Sequence, residues 1–171
     1  MKQFSKGKLV WLLILSVAPG VLSADSIKFD FRDPKKVNNV VFLMDAPLES
    51  INGTATGVSG TVSFDPANPA ATTGKIVLAT SSLHVDNPVM KKHMLDEGWM
   101  HVSKFPTIEF VAGKMTNVKT SGTNITGTIA GKLTVKGVTK KVSVPVRLTY
   151  LKGMLIKRNR VPGDLLVLRS D

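Results

Sequence analysis

The chain predicts an all-β fold, a sandwich or a closed barrel, with one short helix. Three observations predict it. Four stretches alternate apolar and polar residues with period two, the mark of strands with one buried and one wet face. Gly- and Asn-rich connections separate them, as in all-β sandwiches and barrels. A single segment carries helix-capping residues at both ends.

The 171-residue chain opens on Lys2, Lys6 and Lys8, followed by an apolar run over residues 9–18 that Pro19-Gly20 interrupts. Leu22-Ser23-Ala24 supplies small residues at a cleavage site. This is the pattern of a secretory signal peptide over residues 1–24, with an apolar run too short to span a bilayer comfortably. Residues 25–171 then form one domain, long enough for a real core. There is no cysteine, which excludes disulfides, thiolate metal sites and a cysteine-linked lipid anchor. The formal charge is +11; without the three leader lysines, 20 basic face 12 acidic residues, or +8. Export and the lack of an RNA-stacking motif argue against nucleic acid. Solubility and proximity to an anionic membrane surface account for the charge.

The strands follow in order. Val58, Gly60, Val62 and Phe64 alternate with Ser59, Thr61 and Ser63; Ile108, Phe110 and Ala112 alternate with Thr107, Glu109 and Val111. Ile125, Gly127, Ile129, Gly131, Leu133 and Val135 share one face, and Val142, Val144, Val146, Leu148 and Tyr150 share another. Gly57, Gly60, Gly127 and Gly131 lie inside these patterns and permit the bulges and bends a small barrel needs. They also leave interior room. Pro145 conflicts with an interior strand and fits an edge, a bulge, or a site whose N–H would face away from a neighbour. The helix starts with Asn87 as cap and Pro88 in its first turn, continues through Leu95, and meets Gly98 as its stop. Val89 or Met90, with Met94 and Trp99, would cover one mouth.

No catalytic pattern emerges. His84, His93 and His101 fall within eighteen residues, but their spacing matches no metal signature. No nucleophile elbow is present. Asp30, Asp33, Asp45 and Asp65 lie at strand ends and turns, where carboxylates usually satisfy backbone donors. The inward set is almost wholly apolar. It fits either a solid core or a cavity holding one apolar guest, since a barrel of about eight strands is just wide enough for either.

Residues 81–110, SSLHVDNPVMKKHMLDEGWMHVSKFPTIEF, read as strand, short helix, loop and strand; residues 131–146, GKLTVKGVTKKVSVPV, read as two strands around a tight basic turn. With GVSGTVSFDPANP and KIVLATSSLHV, these pieces resemble the YceI-like family of lipocalin-like, polyisoprenoid-binding periplasmic proteins over residues 57–146. The resemblance implies a lipocalin-like antiparallel β-barrel whose tunnel takes an isoprenoid tail, such as that of a quinone, with no cofactor and no metal. The lining residues it implies are Val62, Phe64, Ile76, Leu78, Ile108, Phe110, Ile129, Leu133, Val144, Val146 and Leu148 on strands, with Met90, Met94 and Trp99 on the helix and its loop. Two departures stand out. The N-terminal stretch lacks the family's Tyr-and-His start. The chain also ends at GDLLVLRSD, where the family continues into closing strands. Either those strands are absent or residues 165–168 close the barrel. An unclosed barrel would expose edge groups, lower stability and invite homodimers through that edge.

The expected function is therefore non-catalytic sequestration or transport of an isoprenoid-type lipid in the cell envelope, periplasmic or secreted. Lys136, Lys140 and Lys141, with Lys152, Lys157, Arg158 and Arg160, would meet anionic headgroups. The rival is a solid-core envelope protein for stress or interaction, with no bound lipid.

Overall fold

A computed structural model describes residues 26–31 and 33–170. The signal peptide expected over residues 1–24 lies outside the described residues. Among the described residues there are ten strands: β1 (Ile27–Asp30), β2 (Val40–Ala46), β3 (Glu49–Ala55), β4 (Val58–Phe64), β5 (Thr73–Ala79), β6 (Leu83–His84), β7 (Thr107–Ser121), β8 (Asn124–Val135), β9 (Val138–Leu151) and β10 (Leu165–Ser170). Helix α1 (Pro88–Leu95) precedes β7, and a short helix α2 (Leu155–Asn159), which the sequence did not predict, lies between β9 and β10. Seven strands form one antiparallel sheet in the order β1-β4-β5-β7-β8-β9-β10; β2, β3 and β6 form a second.

The result is a nearly closed barrel with one seam. Residues 165–170 do form a wall strand, in register with β9 from Leu165↔Leu151 to Ser170↔Val146. They do not close the barrel, because β10 and β1 end the sheet order without pairing to each other. Side chains span the gap instead. Phe29 of β1 meets Phe64 of β4 and Tyr150 of β9, with both ring centroids 6.4 Å away. Phe64 and Tyr150 are 5.4 Å apart. Arg158 Nη2 of α2 donates to Asp33 Oδ2 at 3.0 Å, joining residues 125 apart in sequence.

Period two holds along β8, where Ile125 and Ile129 are buried and Thr126, Ala130 and Lys132 are exposed. It fails along β7. Register shifts fall between Ala112 and Met115 and between Thr116 and Lys119, and Asn117 takes a left-handed φ of 53°. Each bulge adds a residue and reverses the inward phase. Met115 is thereby buried, although it is out of step with Ile108, Phe110 and Ala112. Gly60 has φ +117°, a conformation that L side chains rarely adopt. The β8–β9 turn places Lys136 and Gly137 at φ 47° and 75°, the pair of positive angles that a type I′ hairpin requires. Pro145 opposes Thr128 of β8 and lies one residue beyond the register with β10, so its missing donor interrupts no described β9–β10 pair.

Two apolar clusters fill the ends of the barrel. One is built on Val62, Phe64, Met115, Ile125, Ile129, Val146 and Leu148. Phe64 and Leu148 are wholly buried, each contributing roughly 1.5–3 kcal/mol relative to exposure. The other is built on Ala55, Leu78 and Leu83, with Phe42, Met94, Leu95, Met100 and Ile108 against it. Asn87 caps α1 by accepting from the backbone N–H groups of Val89 and Met90 at 3.0 and 3.1 Å. The helix ends at Asp96, two residues before the glycine expected to stop it. Met94, Leu95 and Met100 cover that mouth; Val89 and Trp99 face solvent.

Gly131 shows how tightly the wall is packed. A Cβ there would lie 2.5 Å from the Phe110 ring. Gly131→Ala is expected to cost about 1–3 kcal/mol through overpacking, with part of the loss regained in Gly131→Ala/Phe110→Leu. Urea denaturation checks this; an unchanged midpoint in the single variant would contradict the close contact.

Candidate functional site

Between the two clusters lies a cavity of about 230 Å³. Of the expected lining residues, Val62, Ile76, Phe110, Ile129, Leu133, Val144 and Val146 border it. The others do not. Phe64 and Leu148 belong to the cluster that fills one end, and Leu78, Ile108 and Met94 to the cluster at the other. Met90 is half-buried on α1 but does not line the cavity. Trp99 is 52% exposed, because the loop after α1 turns its ring away from the mouth that Met94 and Met100 occupy.

The sequence reading omitted Thr72, Thr73, Gly74, Ala112, Val142, Leu168 and Ser170 from the wall. Ala112 and Val142 were legible from alternation alone. Leu168 and Ser170 enter the wall only because β10 pairs with β9. Thr72 and Thr73 follow a 3₁₀ turn, Pro69–Ala71, that no period marks. The glycine room is also smaller than expected. The Phe110 ring occupies the space over Gly131, and the Met115 side chain occupies that over Gly127.

The cavity is apolar for a definite reason. Two of its three hydroxyls are turned to backbone. Thr72 Oγ1 donates to the Pro69 carbonyl at 2.6 Å, and Ser170 Oγ to the Pro145 carbonyl at 2.8 Å. An apolar cavity of about 150 Å³ already stays dry and takes a benzene-sized guest. Thr73 and Ser170, both exposed, stand at its rim, so the space reaches the surface beside the end of β10.

The polar chemistry lies elsewhere, around the seam. Asp33 accepts from the backbone N–H groups of Lys35, Val37 and Asn38 at 3.0–3.2 Å. Burial pushes its carboxyl up, but the Val37 and Lys35 N–H groups and the Arg158 guanidinium outweigh this and hold it below its ordinary value. Tyr150 Oη donates to Asp164 Oδ2 at 2.6 Å, and Gly153 N–H donates to Asp164 Oδ1 at 2.7 Å. The bond to Asp164, aided by burial, raises the Tyr150 phenol to about 12. The same bond, with the Gly153 N–H, lowers Asp164. His84 stands 3.7 Å from Asp86, and His101 packs edge-on against Phe105. Among the described residues no three His, Asp or Glu side chains gather to hold a metal ion.

A family model described as the YceI-like domain matches residues 26–171. The chain belongs to the YceI-like family. Its curated relatives include a UPF0312 protein of Pseudomonas savastanoi pv. phaseolicola, 36% identical over 94 residues, which are 55% of this chain and 47% of that protein. Another, from Yersinia pestis, is 33% identical over 97 residues, covering 57% of this chain and 48% of the relative. This YceI-like chain thus spans about half the length of the curated relatives it matches. Among solved structures, Burkholderia cenocepacia BcnA superposes with a TM-score of 0.50 at 22% identity, covering 67% of this chain and 75% of its own. A mutant Campylobacter jejuni YCEI protein crystallised with a monobromobimane guest gives 0.50 at 17% identity, covering 82% and 95%. At such identities these structures support the fold alone.

The raised Tyr150 pKa fixes a direction of pH dependence. The folded chain holds this proton more tightly than an unfolded chain, whose phenol titrates near 10. The resulting stability is complete below pH 10 and is lost as pH rises through about 12. Tyr150→Phe should lower the melting temperature at pH 8 and flatten its decline between pH 10 and 12. A decline as steep as that of the parent would contradict the assignment. For Asp33 the sign is opposite: its contribution is full above the ordinary value of 3.8 and is lost as pH falls through the depressed one.

Proposed function

We propose that this YceI-like protein binds an isoprenoid-type apolar lipid, such as a prenyl quinone, and sequesters or ferries it within the cell envelope without chemical conversion. The observation that carries this reading is the apolar cavity between the two core clusters, open beside β10. Its volume of about 230 Å³ falls below the roughly 300–1,000 Å³ common for ligand pockets. It therefore suits the end of a chain better than a whole large molecule, with the remainder leaving through the rim. Burial is worth about 0.8 kcal/mol per CH₂, so a five-carbon prenyl unit would contribute roughly 4 kcal/mol before ordering costs.

Export by the residue 1–24 leader would place the protein in the periplasm or outside the cell. An anionic membrane surface is the natural site for lipid exchange, and the basic balance of the chain favours it. Among the described residues β1 and β10 are the two end strands of the seven-stranded sheet, and end strands offer a place for two copies to join. Light scattering across a concentration series should then show a dimer; an invariant monomer would remove that element.

The test of binding is organic extraction and mass spectrometry of folded protein purified without detergent from an exporting host. Near-stoichiometric prenyl lipid is expected in the parent. Val144→Trp, which fills the cavity from its half-buried wall, should lose at least about nine-tenths of the lipid while melting cooperatively. A folded parent without prenyl lipid would overturn the proposal and favour a solid-core envelope protein.

A further inference from the structure

A basic surface with exposed aliphatic residues lies at one corner of the seam. It is built from the loop of residues 33–38 and from residues 152–164 around α2, held together by the Asp33–Arg158 pair. Three aliphatic side chains on these segments face solvent: Val37 at 59% exposure, Ile156 at 51% and Val161 at 54%. Six basic residues lie on the same segments, Lys35, Lys36, Lys152, Lys157, Arg158 and Arg160, against two acidic ones, Asp33 and Asp164. Both acids are committed internally, Asp33 to Arg158 and backbone N–H groups, and Asp164 to Tyr150 and Gly153. Arg158 is spent on that pairing. The other five cations stand exposed around the aliphatic residues.

From this arrangement we infer that the α2 corner is the surface by which the protein docks on an anionic bilayer. Exposed lysines and arginines meet the headgroups, while Ile156, Val161 and Val37 enter the boundary with the acyl chains, as the apolar faces of interfacial helices do. The local balance stays basic, since Asp33 is paired with Arg158 and five exposed cations face the one remaining carboxylate of these segments, Asp164. The opposite mouth is less suited. Its charges are mixed: Asp86, Asp96 and Glu97 stand exposed around α1 beside Lys92 and Lys104, and Lys136 Nζ at the β8–β9 turn is engaged by the Glu97 carbonyl at 3.4 Å. Docking by the α2 corner would set the seam beside the membrane. This deepens the proposed exchange of lipid at a membrane, and it assigns that contact to α2 rather than to the turn lysines.

Cosedimentation with vesicles of phosphatidylglycerol and phosphatidylcholine tests the assignment, using folded protein lacking residues 1–24. Each basic residue at an anionic surface is worth about a five-fold change in partitioning. Lys157→Glu/Arg160→Glu should therefore weaken binding by roughly 25-fold or more, and Ile156→Ser/Val161→Ser should weaken it without altering net charge. Lys136→Glu/Lys140→Glu/Lys141→Glu should bind far more nearly as the parent does. The result that overturns the inference is equal loss in the turn variant, unchanged binding in both α2 variants, or equal binding to pure phosphatidylcholine. Lipid extracted from the same preparations separates the two proposals. An α2 variant that fails on vesicles but retains its prenyl lipid isolates the docking defect, and a parent that sediments but carries no lipid isolates a failure of the binding proposal.

Discussion

Side chains complete the wall of this barrel where hydrogen bonding between strands stops. β1 and β10 end the sheet without pairing, so the circuit depends on the Phe29–Tyr150–Phe64 ring cluster inside and the Asp33–Arg158 pair outside. The two links differ in kind. The rings exclude water and gain from offset, edge-on packing. The ion pair has a carboxylate only 7% exposed, so removing Arg158 alone would leave a nearly buried charge, which is far more costly than loss of a surface pair. Asp164 extends the arrangement by fixing Tyr150 from the β9–β10 connection.

The cavity follows from the same arrangement. The ring cluster and Leu148 fill one end, Met94, Met100 and Leu78 fill the other, and the wall between them carries medium-sized side chains. Phe110 and Met115 occupy the relief over Gly131 and Gly127, which trims the interior to a short apolar chamber. β10 matters twice. It contributes Leu168 and Ser170 to the chamber wall, and its end, beside Thr73, forms part of the rim. A chamber that is apolar, small and open at one side suits part of a flexible chain better than a rigid polar metabolite, whose groups would find no partners within.

The α2 corner joins these features to charge. Its loop and helix are positioned by the Asp33–Arg158 pair that spans the seam, so the interaction that holds the barrel together also arranges the exposed cations and aliphatic residues beside it. An anionic surface there would be met by five exposed cations against the carboxylate of Asp164, an advantage that falls with ionic strength.

Much of the fold was legible in the chain. Period two along residues 125–135 and 142–150, the Asn87-Pro88 helix start and the positive-φ turn at Lys136-Gly137 are local effects of side-chain alternation, capping and backbone sterics, and no distant contact is needed to impose them. Alternation placed Val62, Phe110, Ile129, Leu133, Val144 and Val146 of the cavity wall on inward faces, and the family resemblance added Ile76. They did not place Trp99, because a loop has no period to follow. They could not anticipate Met115, because the bulge between Ala112 and Met115 reverses the phase. They gave no sign of α2, a five-residue element too short to carry an amphipathic pattern. How the two ends of the barrel are filled, and where the seam falls, was decided only by tertiary structure. Those outcomes depend on how strands far apart in sequence meet, and on pairs such as Asp33 with Arg158, whose partners the chain keeps 125 residues apart.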